Sequence, residues 1–405
     1  MATAGNHNHE NAVTVLMVPL PAQGHLNQLL HLSRLISSYN IPVYYVSTPA
    51  HVRQAKLRIH GWNPDSISNF HFHGFPVPPY EIPPPDPNAS TKLPTHQTPA
   101  LLSTVHLRDP VFQLMQTLSN TTKRLVVIHD VSMSYVIQDI GFVPNGESYT
   151  FSPSSALSSY SNLWQLGGKP EGVPEQQLLQ LLPKFKFRQE TKEFALLQLG
   201  AKITSSGTLI NSCAAIDGPF LNYRAMFKSF GSDKVWAVGP LNPVQYVRVK
   251  DDDVQQGQHY CLDWLNEQSS NSVIFVSFGS SITLSDEEIK ETAIGLEKSG
   301  QKFVWVLRDA DKGDLSNEEG GGDLVKEVLN VGLLVLPEFF SSDPQAEEIQ
   351  VTSKDIENAV RTLMDSAEGE QMRQRAQEVS KALKASLTDN GTPSGVDSFV
   401  AHIRR

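Results

Sequence analysis

The chain has 405 residues and a formal net charge of −10 at pH 7. This length exceeds what one ordinary hydrophobic core encloses, so two domains are the expected organisation. No basic stripe stands out, which argues against nucleic acid and against an anionic membrane surface as partners. Because Cys213 and Cys261 are far apart in sequence, neither a disulfide framework nor a zinc site is indicated.

The N-terminal residues and the hydropathy of the whole chain indicate where in the cell the protein is expected. The first thirteen residues, MATAGNHNHENAV, are polar and are not expected to form a signal peptide. No apolar run approaches the length that a membrane-spanning helix needs. We therefore expect a cytoplasmic protein that does not insert into a membrane.

In the first half of the chain, short apolar runs alternate with helical patterns, which predicts βαβ units and a mostly parallel sheet. Strands are predicted at residues 13–19, 43–47, 125–129, 148–151, 208–211 and 235–238. The segment 76–87 contains seven prolines and cannot be a central strand or a helix. The segment is expected to form either a surface loop or a stiff wall of a binding cleft.

The second half repeats the strand, glycine turn and helix pattern. A strand over 272–280 leads into a helix from about Ser285, where Glu288 completes a capping box. Further strands are predicted at 303–307 and 331–336, and further helices at 354–364, 368–387 and 394–403. We expect the chain to divide into an N-terminal domain, a polar linker and a C-terminal domain at residues 1–240, 241–258 and 259–405.

A histidine stands where the first predicted strand becomes a helix. Gly24 and His25 form the corner between these two elements, and Asp130 directly follows the strand 125–129. Parallel α/β sheets bind their ligands at the carboxyl ends of strands, so both side chains are expected at one edge. A neutral imidazole can take a proton from a hydroxyl, and a carboxylate can hold its tautomer. On spacing alone, however, His25 is equally well a turn residue and Asp130 a helix cap.

A second glycine turn, Ser277-Phe-Gly-Ser280, offers backbone N–H groups at a helix N-terminus, where anions bind. A phosphate could bind there, with hydroxyl donors from Ser280 and Ser281. The pattern is weak alone, because many strand-to-helix turns share it. The absence of GxGxxG disfavours a dinucleotide site, and the absence of GxxxxGK[ST] and GxSxG excludes a P-loop and a hydrolase elbow.

Six segments together resemble the plant UDP-dependent glycosyltransferases of small molecules, and within them the zeatin O-glucosyltransferase group. They are PLPAQGHLNQLLHLSRLI (19–36), VVIHD (126–130), VWAVGPLNP (235–243), CLDWLNEQ (261–268), SVIFVSFGS (272–280) and KFVWVLRDADKGD (302–314). The resemblance implies an α/β GT-B fold, in which two Rossmann-like domains face a cleft and the last helix crosses back onto the first domain. It also implies direct displacement of UDP from a UDP-sugar, with inversion of the anomeric carbon.

The same resemblance implies roles for individual residues. His25 is the base that deprotonates the acceptor hydroxyl, and Asp130 is the carboxylate that orients it. The donor lies beside four residues, Gly24, Gly279, Ser280 and Ser281. The partners implied are a UDP-sugar bound by the C-terminal domain and a cytokinin-like hydroxylated acceptor bound by the N-terminal domain. No metal and no cofactor are expected, and the protein is expected to be a monomer.

The chain departs from the family after its strand at 303–307. There the family carries a donor-binding signature that begins Trp-x-Pro-Gln, passes through His-Cys-Gly-Trp-Asn-Ser and ends with an acidic residue and Gln. No Cys follows Cys261 and no Trp follows Trp305, so the signature is missing. Several dozen residues are absent as one block near 315–330. We therefore expect weak or no transfer of glucose or xylose, with a non-catalytic small-molecule-binding protein as the alternative.

Overall fold

The computed structural model describes residues 11–57, 59, 63–81, 98–160, 189–225, 232–241, 260–278, 284, 286–306, 351–387 and 393–405. Within these ranges a parallel sheet runs in the order β3-β2-β1-β4-β5-β6-β7. Its strands are β1 (Asn11–Val18), β2 (Val43–Ser47), β3 (Phe70–Gly74), β4 (Thr122–Asp130), β5 (Gly146–Ser152), β6 (Ser205–Ile210) and β7 (Val235–Ala237). A separate parallel pair is formed by β8 (Val273–Val276) and β9 (Lys302–Trp305).

Helices connect and cover these strands. They are α1 (Gln23–Ser37), α2 (Pro49–Leu57), α3 (Thr98–Ser103), α4 (Arg108–Ser119), α5 (Gln189–Leu199), α6 (Ala214–Ala225), α7 (Tyr260–Asn266), α8 (Asp286–Ser299), α9 (Ser353–Asp365), α10 (Ala367–Ala385) and α11 (Ser394–Ile403). Shorter 3₁₀ helices include Val131–Met133 and Gln138–Phe142. No helix in the described ranges is both long and apolar enough to cross a membrane.

The six strands predicted in the first half are confirmed, with ends that differ by up to three residues. The prediction missed β3, an edge strand in which Phe70 and Phe72 reach the core while His71 and His73 alternate with them. The run FHFHG does alternate aromatic and polar side chains, as a half-buried strand does, but the alternation covers only four residues before Gly74. The helices predicted near the C-terminus are also confirmed, whereas the predicted strand at 331–336 lies outside the described residues.

The central strands read as continuous apolar runs because both faces of the sheet are buried. On one face Val15 and Met17 of β1 join the apolar residues of α1. On the opposite face Leu16 and Val18 pack with residues of α4 and of the segment after β4. This two-sided burial holds β1 and β4 at the centre of the first sheet, where their carboxyl ends lie side by side.

The last helix of the chain packs on the first sheet. Phe399 of α11 is fully buried and meets Tyr149 of β5 and Trp236 of β7 edge to face, at centroid distances of 5.0 and 5.3 Å. Arg124 of β4 donates from Nη1 to the carbonyl oxygens of His402 and Ile403, at 3.2 and 2.8 Å. Aromatic burial and helix capping thus tie the end of the chain to its first half.

The second half is more exposed in the part that the structure describes. Phe275 of β8 is 68% exposed, and Phe303 of β9 is 37% exposed. Helices α8 and α9 cross closely at Gly295, where an added Cβ would lie 2.6 Å from the carbonyl oxygen of Ser353. Glycine therefore permits this helix contact.

Candidate active site

The order of the first sheet reverses between β1 and β4. The strands β2 and β3 lie on one side of this pair, and β5, β6 and β7 lie on the other. The connections that leave β1 and β4 therefore run in opposite directions and open a crevice at their carboxyl ends, which is where open α/β sheets bind ligands. The register pairs Val18 with His129, so the two strands end at the same level.

His25 and Asp130 meet in this crevice. His25 lies in the first turn of α1, one short connection beyond β1, and Asp130 is the last residue of β4. The distance from Nδ1 of His25 to Oδ2 of Asp130 is 2.6 Å. His25 is 7% exposed and Asp130 is fully buried. The structure thus brings together two side chains that are 105 positions apart in sequence.

The carboxylate of Asp130 is itself fixed at both oxygens. Oδ2 accepts from His25, and Oδ1 accepts from the backbone N–H of Ser132 at 2.9 Å. A carboxylate is an acceptor, so it favours the tautomer in which Nδ1 of His25 carries the proton. Nε2 is then the basic nitrogen of the ring. Chemically, this arrangement can take a proton from a hydroxyl, because the carboxylate stabilises the imidazolium that results.

Four residues were predicted to bind the donor, and the structure describes one of them. Gly24 lies in the first turn of α1, beside His25, at a helix N-terminus that has no acidic side chain in its first turn. Such a terminus favours negative charge nearby. The remaining three predicted residues, Gly279, Ser280 and Ser281, lie outside the described residues.

Two further histidines are buried near the same edge. His129 precedes Asp130 and donates from Nδ1 to its carbonyl oxygen at 2.9 Å, and burial lowers the pKa of His129 to about 4. His51 of α2 lies 2.7 Å from the hydroxyl oxygen of Thr48, and burial lowers its pKa to about 4 as well. Both rings are neutral at pH 7, so they contribute packing and hydrogen bonds rather than charge.

Two amides near this edge were not predicted from the sequence. Asn211, just after β6, donates from Nδ2 to Gln28 of α1 at 2.8 Å and accepts at Oδ1 from the backbone of Leu241 at 2.9 Å. Gln198 of α5 accepts at Oε1 from the backbone N–H of Tyr135 at 3.0 Å. No periodic signal marks Gln198, because the apolar residues of α5 are not confined to one helix face, and Leu196 and Leu199 are exposed.

The described part of the chain contains no cluster of three or more His, Cys, Asp and Glu side chains that could hold a metal ion. The arrangement that the structure does show is the pair of His25 and Asp130, which is suited to proton transfer.

Comparison with known proteins identifies the family. Residues 11–243 match the family model of the glycosyltransferase N-terminal domain. The chain is 37% identical to zeatin O-glucosyltransferase of Phaseolus lunatus, with 98% of each chain covered. It is 36% identical to zeatin O-xylosyltransferase of Phaseolus vulgaris, covering 98% of this chain and 99% of that enzyme. The first alignment spans 471 positions against 405 residues here, so at least 66 of its positions have no residue in this chain.

A solved structure supports the fold. The structure of Phytolacca americana UGT2 complexed with UDP-2fluoro-glucose and pterostilbene superposes with a TM-score of 0.65 at 19% identity. The match covers 97% of this chain and 99% of that one. At this identity the likeness concerns architecture, and it agrees with the parallel first sheet and its crevice. The chain has the α/β GT-B fold and belongs to the plant UDP-dependent glycosyltransferases, in the group that includes the zeatin O-glucosyl- and O-xylosyltransferases.

Proposed function

We propose that this protein transfers glucose or xylose from a UDP-sugar to a hydroxyl of a cytokinin-like small molecule, with inversion of the anomeric carbon. The observation that carries the proposal is the 2.6 Å contact between His25 and Asp130 in the crevice between β1 and β4. The names of the relatives support the substrate classes, since one is a zeatin O-glucosyltransferase and another a zeatin O-xylosyltransferase.

The proposed step uses His25 as a general base. Nε2 takes the proton of the acceptor hydroxyl, and the oxygen attacks the anomeric carbon of the sugar. A carbon–oxygen bond forms as the bond from that carbon to the phosphate oxygen breaks, and UDP leaves with the negative charge. Asp130 stabilises the imidazolium, because its buried carboxylate lies against Nδ1. Attack from the face opposite to the leaving UDP inverts the carbon.

Donor recognition in this family depends on segments that this chain lacks. The sequence lacks the Trp-x-Pro-Gln and His-Cys-Gly-Trp-Asn-Ser segments that the family uses for UDP-sugar, and at least 66 positions of the zeatin O-glucosyltransferase alignment are empty in this chain. Removing one donor of a hydrogen bond to developing charge typically lowers the rate about 10²–10³-fold. We therefore expect slow transfer, since several such contacts are absent together.

The missing signature favours a second function, in which the N-terminal half binds the hydroxylated small molecule without transferring sugar to it. The two functions differ in one property, the binding of UDP. The acceptor half, which includes His25 and Asp130, is common to both.

The test uses the purified, folded full chain with trans-zeatin as acceptor and UDP-glucose or UDP-xylose as donor. Calorimetry measures UDP binding, and chromatography measures the glycoside product. The transferase is supported if the wild type forms the glycoside and His25→Ala does not. The control His106→Ala changes an exposed histidine and should keep the activity. Binding of trans-zeatin without UDP binding or product supports the second function. If neither ligand binds, both proposals fail.

A further inference from the structure

Two histidines alternate with two phenylalanines along β3, the strand at one edge of the first sheet. Phe70 and Phe72 pack against the core, and His71 and His73 occupy the alternate positions. Successive side chains of a strand point to opposite faces, so both imidazoles lie on one face, with their Cα atoms about 6.6 Å apart. Both side chains are half-buried, so solvent reaches each ring.

The neighbouring strand β2 supports the two imidazoles. The register of the sheet sets Tyr44 beside His71 and Val46 beside His73. The centroid of the Tyr44 ring lies 4.7 Å from that of His71 and 5.5 Å from that of His73. The two histidines also affect each other, because burial and then the charge of His71 lower the pKa of His73. One phenol ring therefore packs against two imidazoles that lie close together, and it limits their rotation.

The ring nitrogens of these histidines differ from those of the buried histidines. His51 lies against the hydroxyl of Thr48, and His129 donates to a backbone carbonyl group. Among the described residues, none forms a hydrogen bond with a ring nitrogen of His71 or His73. A neutral imidazole has one nitrogen that carries a lone pair. The structure therefore leaves two such nitrogens, on one face of one strand, accessible to a ligand.

We infer that His71 and His73 bind one divalent transition-metal ion between them, with water in its remaining coordination positions. Imidazole is a ligand that suits Zn²⁺, Cu²⁺ and Ni²⁺, and it binds Zn²⁺ at about 2.0–2.1 Å. Within the described ranges, no carboxylate joins the two histidines in a larger cluster, so Mg²⁺ and Ca²⁺, which prefer oxygen, are not expected. The site is separate from His25, because β3 lies two strands away from β1.

Protection from chemical modification tests this site in the full wild-type chain. Diethyl pyrocarbonate modifies accessible imidazole nitrogens, and tandem mass spectrometry reports each histidine separately. A bound ion blocks the nitrogen that would react. The probe is Zn²⁺ alone, added to protein freed of metal by a chelator. We expect Zn²⁺ to protect His71 and His73 over the same range of concentration and to leave the exposed His106 reactive.

Two variants distinguish one shared ion from two independent imidazoles. In His71→Gln and in His73→Gln, the remaining imidazole should need at least about tenfold more Zn²⁺ for half protection, because the second ligand of a shared ion acts at a high effective concentration. The matched control combines His7→Gln with His9→Gln, which have the same spacing in the sequence. This control should leave the protection of His71 and His73 unchanged.

The inference is overturned if Zn²⁺ protects His71 and His73 no better than His106 in the wild type. That comparison needs no variant, so it holds even if a substitution in β3 disturbs folding. The inference is also overturned if each folded single variant keeps the wild-type protection of its remaining imidazole. Neither measurement involves a UDP-sugar or an acceptor, so the metal site and the proposed function are tested independently.

Discussion

Asp130 binds the ring of His25 with one carboxylate oxygen and the backbone N–H of Ser132 with the other. The carboxylate is fully buried, and it lies at the point where the strand order of the first sheet reverses. Two donors therefore fix its plane, and the plane of the carboxylate fixes the orientation of the imidazole. This relationship makes Asp130 the residue on which the basicity of His25 at Nε2 depends.

Asp130→Asn is expected to reduce transfer roughly 10²–10⁴-fold, because an amide NH₂ can donate to Nδ1 and stabilise the wrong tautomer. Product formation measures the rate, and ¹H–¹⁵N spectra of the histidine ring report the tautomer independently of turnover. Asp139→Asn is the matched control, since Asp139 pairs with Arg108 outside the crevice. A variant of Asp130 that keeps both the wild-type rate and the Nδ1–H tautomer would refute the role given to this carboxylate.

Much of the first sheet was predictable because its strands are apolar runs that end at turn residues. The encounter of His25 with Asp130 was expected from the same rule, since carboxyl ends of parallel strands share an edge. Other features depend on contacts between distant parts of the chain. The hydrogen bond of Gln198 to Tyr135, for example, forms only because α5 lies against the segment after β4. No local pattern contains that information.

Stability is expected to fall as the pH drops from about 6.5 towards 4. Burial lowers the pKa values of His51 and His129 to about 4, against an ordinary value of 6.5. Between these values the unfolded chain binds protons that the folded chain does not, so acid favours unfolding. Each of the two histidines then lowers the free energy of unfolding by about 2 kcal/mol at pH 5. Thermal unfolding at pH 7 and pH 5 measures the loss.

The variant His51→Gln tests the assignment, because its side chain is neutral at every pH. It should lose less stability between pH 7 and pH 5 than the wild type, whatever its stability at pH 7. His106→Gln, on an exposed histidine, should keep the wild-type dependence. An unchanged pH dependence in His51→Gln would show that His51 is not a source of the acid sensitivity.

Arg124→Met is expected to lower the free energy of unfolding by about 1–3 kcal/mol. Arg124 binds Glu147 at 2.5 Å through Nε and caps the carbonyl oxygens at the end of α11 through Nη1. The substitution leaves those carbonyl groups and a half-buried carboxylate without their charged donor. Urea unfolding measures the change. The control Arg361→Met removes an exposed i,i+4 ion pair with Glu357 and should lower the free energy of unfolding by less than about 0.5 kcal/mol. If the two variants lose the same free energy of unfolding, the capping role of Arg124 is contradicted.

Phe399→Ala is expected to have the largest effect on stability, about 3–5 kcal/mol. Phe399 is fully buried between Tyr149 of β5 and Trp236 of β7, so the truncation leaves a cavity that these two rings cannot fill by small shifts. Phe142→Ala is the matched control, because that ring is 77% exposed and its loss should change stability by less than about 0.5 kcal/mol.

Urea unfolding of the two phenylalanine variants shows whether α11 unfolds together with the first sheet or separates from it first. If α11 unfolds together with the first sheet, the midpoint of Phe399→Ala falls while the slope stays that of the wild type. A reduced slope would instead mean that α11 separates first, because less surface would then be exposed in the main transition. A midpoint equal to that of Phe142→Ala would refute the stabilising role of Phe399, since a buried aromatic contact cannot be removed without cost.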